Sequence, residues 1–276
     1  MATVRDSQSR LELALSGAEP DLVGAALAMS LDEYPDLDEA AVVAQLDALA
    51  QQVRAELPPN ARLEQQLQAL SRVLGQDHGF HGTAQSYGEA KSSFLHEVLA
   101  RRTGIPIALG VVYTEVARRA GVALQGIAFP GHFLVGGGSG ASRRVLDPFH
   151  FGRQVGPDDL RSLLSKTAPG VTFSPQLLRP ASPRQIVFRM LTNLKHLHIG
   201  AEDWPRALRV VELLLIVAPE HPGELRVRAS VRQSLGAYAA ALHDVQHCLA
   251  LSPDAPDAVV LRWTAQALAS RAGWRS

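Results

Sequence analysis

The chain has 276 residues, and its 46% hydrophobic content is sufficient to build one large core or two modest ones. Lys+Arg and Asp+Glu both number 27, so no net charge attracts a phosphate backbone and we expect no nucleic-acid partner. The single cysteine, Cys248, excludes an intrachain disulfide and any multi-cysteine metal site. The polar N-terminus lacks a signal-peptide pattern and no run of 18 apolar residues occurs, so we expect a cytoplasmic protein that does not enter a membrane.

The first 75 residues carry helical patterns. Apolar residues recur at helical spacing within 11–29, 42–53 and 63–74. Pro58-Pro59-Asn60 separates the last two runs. No cluster of reactive side chains appears there, so we predict that 1–75 is a helical segment that packs on the remainder of the protein.

Two more helices are predicted in the middle of the chain. One runs from Ser92 to Arg102, where Phe94, Leu95, Val98 and Leu99 form an apolar stripe. The other runs from about Ala108 to Ala120, and Gly121 is its predicted C-cap. A polar segment rich in glycine and histidine, Gly75 to Tyr87, precedes both helices and is predicted to be a loop.

Short apolar runs at 122–129, 132–135 and 145–149 predict strands, because turn residues separate them. If the Gly/Ser-rich turn between the last two is centred on Ser139-Gly140, antiparallel pairing places His132 directly opposite Asp147. A looser turn would change this register. Such a histidine and carboxylate are the base half of a catalytic triad, although a pair of this kind is also common as a purely structural contact.

From Pro183 the pattern is helical again, and it repeats every 34 residues. The matching pairs are Trp204 and Tyr238, Ala207 and Ala241, Val211 and Val245, Leu215 and Leu249, and Pro219 and Pro253. This spacing and order are typical of tetratricopeptide repeats, helical hairpins that need neighbours to bury their inner faces. We predict a repeat region at 183–276, closed by a helix over Pro256 to Ala272, that binds a protein or peptide partner. The oligomeric state stays open.

Two other pairs of histidines are candidate metal ligands. His243 and His247 are four residues apart on one helix face, but no third ligand is evident, so two exposed histidines are the simpler interpretation. His78 and His81 lie in the predicted loop, where a substrate or metal role is conceivable. We predict no metal and no cofactor.

The segment from Phe80 to Gly152 resembles the transglutaminase-like core of the bacterial SirB family, whose members carry C-terminal tetratricopeptide repeats. The matching residues are Phe80, Gly82, Tyr87, Ser93-Phe94-Leu95, Val98-Leu99, Arg101-Arg102, Gly104 to Ile107, Tyr113, Val116 to Arg119, Gly121, Pro130 to Leu134, and Asp147-Pro148-Phe149. The resemblance implies an α+β, papain-like fold. The predicted domains are therefore a helical segment at 1–75, a transglutaminase-like core with a small antiparallel sheet at 76–180, and repeats at 183–276.

The resemblance also implies a Cys nucleophile at a helix start, with a His and an Asp on neighbouring strands. His132 matches the family's histidine and Asp147 matches its aspartate, whereas no cysteine of this chain matches the nucleophile. Its position falls near Ala108, Leu109 and Gly110, or alternatively near Ser92 and Ser93 if the preceding helix carried it. The SirB pattern commonly shows Ser near Gly110 and Asn near Ser92, so this chain departs at both places. We expect Ser92 or Ser93 to be an N-cap.

Two functions follow from this pattern. The first is a non-catalytic binding or regulatory protein, a pseudoenzyme that acts through the core cleft and the groove of the repeats. The alternative is an atypical hydrolase or acyltransferase in which His132, oriented by Asp147, activates water or a hydroxyl group. The second function requires an open pocket with a hydroxyl group near His132.

Overall fold

A computed structural model describes residues 3–273 of the protein. Over this range the chain forms twelve α-helices and one four-stranded antiparallel sheet, so the predicted α+β class is confirmed. The chain divides into two compact units, Met1–Met190 and Leu191–Ser276. The boundaries predicted for three domains, at 75, 180 and 183, stay a prediction. Within residues 3–273, no helix has the length and apolar character needed to cross a membrane.

Four helices open the first unit. They are α1 (Thr3–Leu15), α2 (Leu22–Ala28), α3 (Glu39–Ala55) and α4 (Leu63–Leu70). Asp21 and Asp38 cap α2 and α3 by accepting hydrogen bonds from backbone N–H groups three residues ahead, at 3.0 Å each. The helix that begins with α4 continues as a π-helical turn over Ser71–Asp77, which extends into the segment predicted as a loop.

Helix α5 (Leu95–Arg101) and helix α6 (Pro106–Ala120) follow. Helix α6 is buried along most of its length, and Pro106 occupies its first turn, where a missing N–H costs nothing. Gly121 ends α6 in the left-handed conformation at φ 79°, which confirms the predicted C-cap. The helix predicted to start at Ser92 starts instead at Leu95.

The sheet has the order β1-β2-β3-β4 and lies in the first unit. Its strands are β1 (Gln125–Ile127), β2 (Leu134–Gly137), β3 (Arg144–Asp147) and β4 (Arg153–Val155). Apolar side chains of the sheet pack against helix α7 (Pro157–Thr167), among them Ile127, Leu134 and Val145 with Leu160 and Leu164. Strand β4 and helix α7 were not predicted.

The predicted register of β2 and β3 is wrong by two residues. Val135 pairs with Leu146, so continuing the ladder sets Leu134, and not His132, opposite Asp147. The turn is wider than expected because a 3₁₀ turn, Gly140–Ser142, fills it and the backbone at Gly138 and Gly140 takes positive φ. An offset of two residues keeps the side chains on the same face, whereas an offset of one would have reversed them.

The second unit is helical. Helix α8 (Pro183–Gly200) contains the boundary between the units, and α9 (Trp204–Val217), α10 (Pro222–Ser234), α11 (Tyr238–Leu251) and α12 (Ala258–Gly273) complete the fold. The matched positions Val211 and Val245 are both buried in one apolar cluster with Cys248. The predicted tetratricopeptide region is therefore present as paired helices with a shared core.

Candidate functional site

His132, Asp147 and His150 form one hydrogen-bonded cluster in the first unit. Nε2 of His132 lies 2.9 Å from Oδ1 of Asp147, and Nδ1 of His150 lies 2.7 Å from Oδ2 of the same carboxylate. His132 is 4% exposed and Asp147 is 1% exposed, whereas the His150 side chain is 52% exposed. One buried carboxylate therefore joins an enclosed imidazole to one that reaches solvent.

The local backbone sets Asp147 in this position. Asp147 is the last residue of β3 and caps the 3₁₀ turn Pro148–His150, since its Oδ1 accepts a hydrogen bond of 3.1 Å from the backbone N–H of Phe149. Three residues make one 3₁₀ turn, so the side chains at 147 and 150 lie one above the other. The backbone N–H of Gly152 then donates to the carbonyl oxygen of Asp147 at 2.9 Å, which closes the loop.

His132 is held by a tight turn that precedes β2. Its backbone N–H donates to the carbonyl oxygen of Phe129 at 3.0 Å. Gly131, at φ 66°, lies so close to helix α7 that an added Cβ would be 2.5 Å from the carbonyl oxygen of Thr167. A side chain at position 131 would therefore push this turn away from α7 and displace the imidazole that follows it.

Aromatic rings cover the cluster. The ring of Phe149 lies edge-on to His132 with centroids 5.7 Å apart, and the ring of Tyr87 lies 5.9 Å from that of Phe149. Gly82 makes this possible, because a Cβ there would lie 1.9 Å from Cδ2 of Phe149. The loop before α5 thus supports the wall that encloses His132.

The charge of Asp147 is stabilised by its partners. Burial on its own raises the pKa of a carboxyl group, but the hydrogen bonds and charges of His132 and His150 outweigh that effect and hold the pKa of Asp147 below its usual value. Burial, assisted by the negative charge of Asp147, raises the pKa of the nearby Tyr113 hydroxyl group. Asp147 is therefore an ionised, buried acceptor.

The position where the resemblance implies a nucleophile is closed by an aromatic ring. Ala108, Leu109 and Gly110 are fully buried in α6. A Cβ built on Gly110 would lie 2.4 Å from Cδ1 of Phe133, which is less than any normal contact, so the ring of Phe133 fills the space of a side chain at 110. A thiol or hydroxyl group at Gly110 does not fit this packing.

The alternative position, at Ser92 and Ser93, is also buried. Both serines belong to a 3₁₀ turn, Ala90–Ser93, and the N-cap of α5 is Phe94 with no side-chain hydrogen bond. The predicted N-cap role of these serines is therefore wrong. The Ser92 hydroxyl group is buried without a hydrogen-bond partner, and it makes no hydrogen bond to His132.

Two protein-family models match the chain. Residues 40–192 match the model described as "Transglutaminase-like superfamily", and residues 194–266 match the model described as "Tetratricopeptide repeat". The chain belongs to the transglutaminase-like superfamily. The narrower assignment to the SirB family stays a prediction.

The chain is similar to proteins of bacteria and of mammals. A "UPF0162 protein" of Xylella fastidiosa strain Temecula1 is 34% identical over 245 residues, which cover 87% of each chain. Human "F-box only protein 21" is 30% identical over 183 residues, which cover 62% of this chain and 28% of that protein. The crystal structure of menin aligns over 91% of this chain and 71% of that chain with a TM-score of 0.44 and 11% identity, too weak a likeness to support any inference.

Within residues 3–273 of this transglutaminase-like chain, Asp147 is the only side chain that hydrogen-bonds to the His132 imidazole. Cys248 lies in the second unit, where it is buried and its Sγ contacts the carbonyl oxygen of Pro222 at 3.5 Å. Burial raises the pKa of the Cys248 thiol, so burial disfavours the thiolate that a nucleophile requires.

Two larger cavities of the transglutaminase-like unit lie away from His132. One, of about 620 Å³, lies between α6 and β1 and is lined by Thr114, Glu115, Arg118 and Gln125 among others. The second, of about 770 Å³, is lined by residues of β3, β4 and α7 that include Arg144 and Phe173. Neither lining contains His132, Asp147 or His150. These two cavities therefore offer ligand space away from the histidine cluster.

The other candidate histidines, His78, His81, His243 and His247, contact nearby groups of the chain. His78 Nε2 is 2.7 Å from Oε1 of Gln52, and His81 Nδ1 is 2.8 Å from the carbonyl oxygen of Gly79, with its ring stacked on Phe151. The rings of His243 and His247 are 6.5 Å apart. Among residues 3–273, one group of three His, Cys, Asp or Glu side chains is close enough to share a metal ion. It consists of His132, Asp147 and His150. Sequence reasoning missed His150, although its position three residues after a capping Asp was a usable signal.

Proposed function

We propose that the chain is a non-catalytic binding protein whose transglutaminase-like unit serves as a scaffold and whose repeats hold a protein or peptide partner. One observation carries this proposal: the imidazole of His132 is enclosed and hydrogen-bonds to a carboxylate, with no thiol or hydroxyl group among residues 3–273 bonded to it. A general base must reach the proton that it removes. Here the base has no nucleophile to activate.

The packing of Phe133 supports the same conclusion. In a thiol enzyme of this type, the nucleophile lies at a helix start close to the histidine. In this chain the aromatic ring of Phe133 takes the space beside Gly110, and Ala108 and Leu109 are fully buried. The His132–Asp147 pair then stabilises the β2–β3 region, since each hydrogen bond to a charged group contributes about 1.5–3 kcal/mol.

The alternative, an atypical hydrolase that uses water, receives less support. It requires solvent to reach the His132 imidazole, whereas His132 is only 4% exposed. The rings of Phe149 and Tyr87 cover the cluster on one side. Activation of water by His132 would need these rings to move.

The repeats offer a surface for a partner. Val259, Val260 and Trp263 are 54%, 58% and 67% exposed on α12, and their spacing of three and four residues sets them on one helical face. We call these three side chains the α12 apolar surface. Contiguous exposed apolar groups, an aromatic among them, mark interaction sites more often than ordinary surface.

Catalysis is tested with a broad panel of amide, ester and amine-acceptor substrates. We expect no turnover by the full-length protein above that of buffer, and the same result for His132→Gln. Turnover that His132→Gln abolishes would overturn the proposal. Serine, thiol and metal inhibitors then identify the chemistry if any activity appears.

Partner binding is tested by selecting peptides from a displayed random library on the full-length protein. We expect enriched peptides to bind at least tenfold more weakly to Trp263→Ser, since buried aromatic anchors carry most of the affinity of such interfaces. Val171→Ser is the matched control, because Val171 is also an exposed apolar residue (46%) but lies in the first unit. Equal binding by both variants would show that the α12 apolar surface is not the docking site.

A further inference from the structure

We infer that His132, Asp147 and His150 bind a divalent transition-metal ion of the zinc type. The sequence alone predicts no metal, because His150 does not stand out in it. The structure places one nitrogen from each imidazole and one carboxylate oxygen within 4.8 Å of one another. Two histidines and one carboxylate form a recurrent metal-binding set in proteins, with open positions left for water or a ligand.

The distances fit an ion seated on the carboxylate. For ligand bonds of about 2.1 Å, two ligand atoms lie about 3.0 Å apart at right angles around an ion and about 3.4 Å apart at the tetrahedral angle that Zn²⁺ prefers. The distances are 2.9 Å from His132 to one carboxylate oxygen and 2.7 Å from His150 to the other. A shift of the exposed His150 side chain by a few tenths of an ångström admits the ion, because its side chain is 52% exposed.

The rest of the cluster is pre-organised for this role. The Asp147 carboxylate accepts a hydrogen bond from the backbone N–H of Phe149, and the backbone N–H of His132 donates to the carbonyl oxygen of Phe129, so the backbones that carry two of the three ligands are held in place. Burial keeps competing water away from the carboxylate, and the exposed imidazole leaves an entry path from solvent. Supporting hydrogen bonds that orient metal ligands are typical of such centres.

The ligand set also selects the class of ion. Imidazole nitrogens suit Zn²⁺, Co²⁺, Ni²⁺ and Fe²⁺, whereas Mg²⁺ and Ca²⁺ prefer all-oxygen sites. We therefore expect Zn²⁺ to bind and Mg²⁺ not to compete. This inference goes beyond the proposed function and does not depend on it. An ion bound here would link the end of β3 to the turn before β2, whether or not the protein has catalytic activity.

The test is calorimetric titration of untagged, full-length protein with Zn²⁺. The reference protein carries His243→Ala and His247→Ala, so that the two neighbouring histidines of α11 contribute nothing to the titration. We expect this reference protein to bind one Zn²⁺ per chain and no Mg²⁺. When Co²⁺ is added in place of Zn²⁺, we expect the visible absorption bands of a protein-bound Co²⁺ ion.

The deciding variant is His150→Ala in the reference background, because removal of an exposed side chain leaves the fold intact. We expect the affinity for Zn²⁺ to fall by at least about tenfold. Removal of a residue that only hydrogen-bonds to a metal ligand already costs about that much, and His150 is itself a proposed ligand. His196→Ala, an exposed histidine of α8, is the matched control and should change nothing. The inference would be overturned if the reference protein bound no Zn²⁺, or if His150→Ala bound Zn²⁺ as tightly as the reference.

Discussion

The contact between Gly110 and Phe133 gives a direct test of the closed nucleophile position. Replacing Gly110 by Ala adds one methyl group to α6, 2.4 Å from Cδ1 and 2.5 Å from Cε1 of Phe133. Carbon atoms in optimal contact are about 3.5–4.0 Å apart, so the ring must move by more than about 1 Å. Phe133 is itself 1% exposed, and its neighbours limit that movement.

Two opposing effects set the size of the change. Overpacking a buried site costs about 1–3 kcal/mol, and Gly→Ala within a helix contributes about 0.5–1 kcal/mol in the other direction. We expect Gly110→Ala to lower the free energy of unfolding by about 0–2.5 kcal/mol, and to be about 1–3 kcal/mol less stable than a helical Gly→Ala change without a clash. Gly200→Ala is the control, because that helical glycine has no atom within 4 Å of an added Cβ, and it should be neutral or stabilising by up to about 1 kcal/mol.

Urea unfolding followed by far-ultraviolet circular dichroism measures both variants. All three tryptophans, Trp204, Trp263 and Trp274, follow residue 190, so circular dichroism is the signal used to follow unfolding of the first unit. In a Phe133→Leu background the cost of Gly110→Ala should shrink, since the two sites are in contact. Gly110→Ala as stable as Gly200→Ala would refute the closed position.

Two further predictions concern the second unit. Lys195 and Glu224 form a buried ion pair of 2.6 Å, so Lys195→Met should cost about 3–5 kcal/mol in urea unfolding followed by tryptophan fluorescence, and adding Glu224→Leu should recover much of it. Asp203 caps α9, and its hydrogen bond to Arg206 holds its pKa below the usual value, so Asp203→Ala should cost about 1 kcal/mol at neutral pH. Because that pKa is lowered in the folded state, the contribution is complete above about pH 4 and is lost as the pH falls further, and the curves of Asp203→Ala and the natural protein should converge in acid.

The parts of the fold that follow from local pattern could be predicted from the sequence. The repeat region was recognised because Val211 and Val245 occupy equivalent core positions 34 residues apart. The end of α6 was recognised because Gly121 can take positive φ without strain. Both features depend only on neighbouring residues or on a strict period.

The parts of the fold and of the site that depend on turn geometry and on packing could not be predicted from the sequence. The register of β2 and β3 is set by the conformation of the turn at 138–142, and the sequence allows more than one such turn. His150 joins the site only because the chain makes a 3₁₀ turn after Asp147. The closure of the nucleophile position by Phe133 is a contact between α6 and the residue before β2, which no local pattern reveals.

The hydrolysis and transamidation assay of the full-length protein, performed with and without added Zn²⁺ and in parallel with His132→Gln, tests most directly whether the enclosed imidazole is catalytic. We expect no turnover in any of the four measurements, because His132 has no nucleophile to activate. Reproducible turnover by the natural protein that disappears in His132→Gln would contradict a scaffold role for the His132–Asp147 pair.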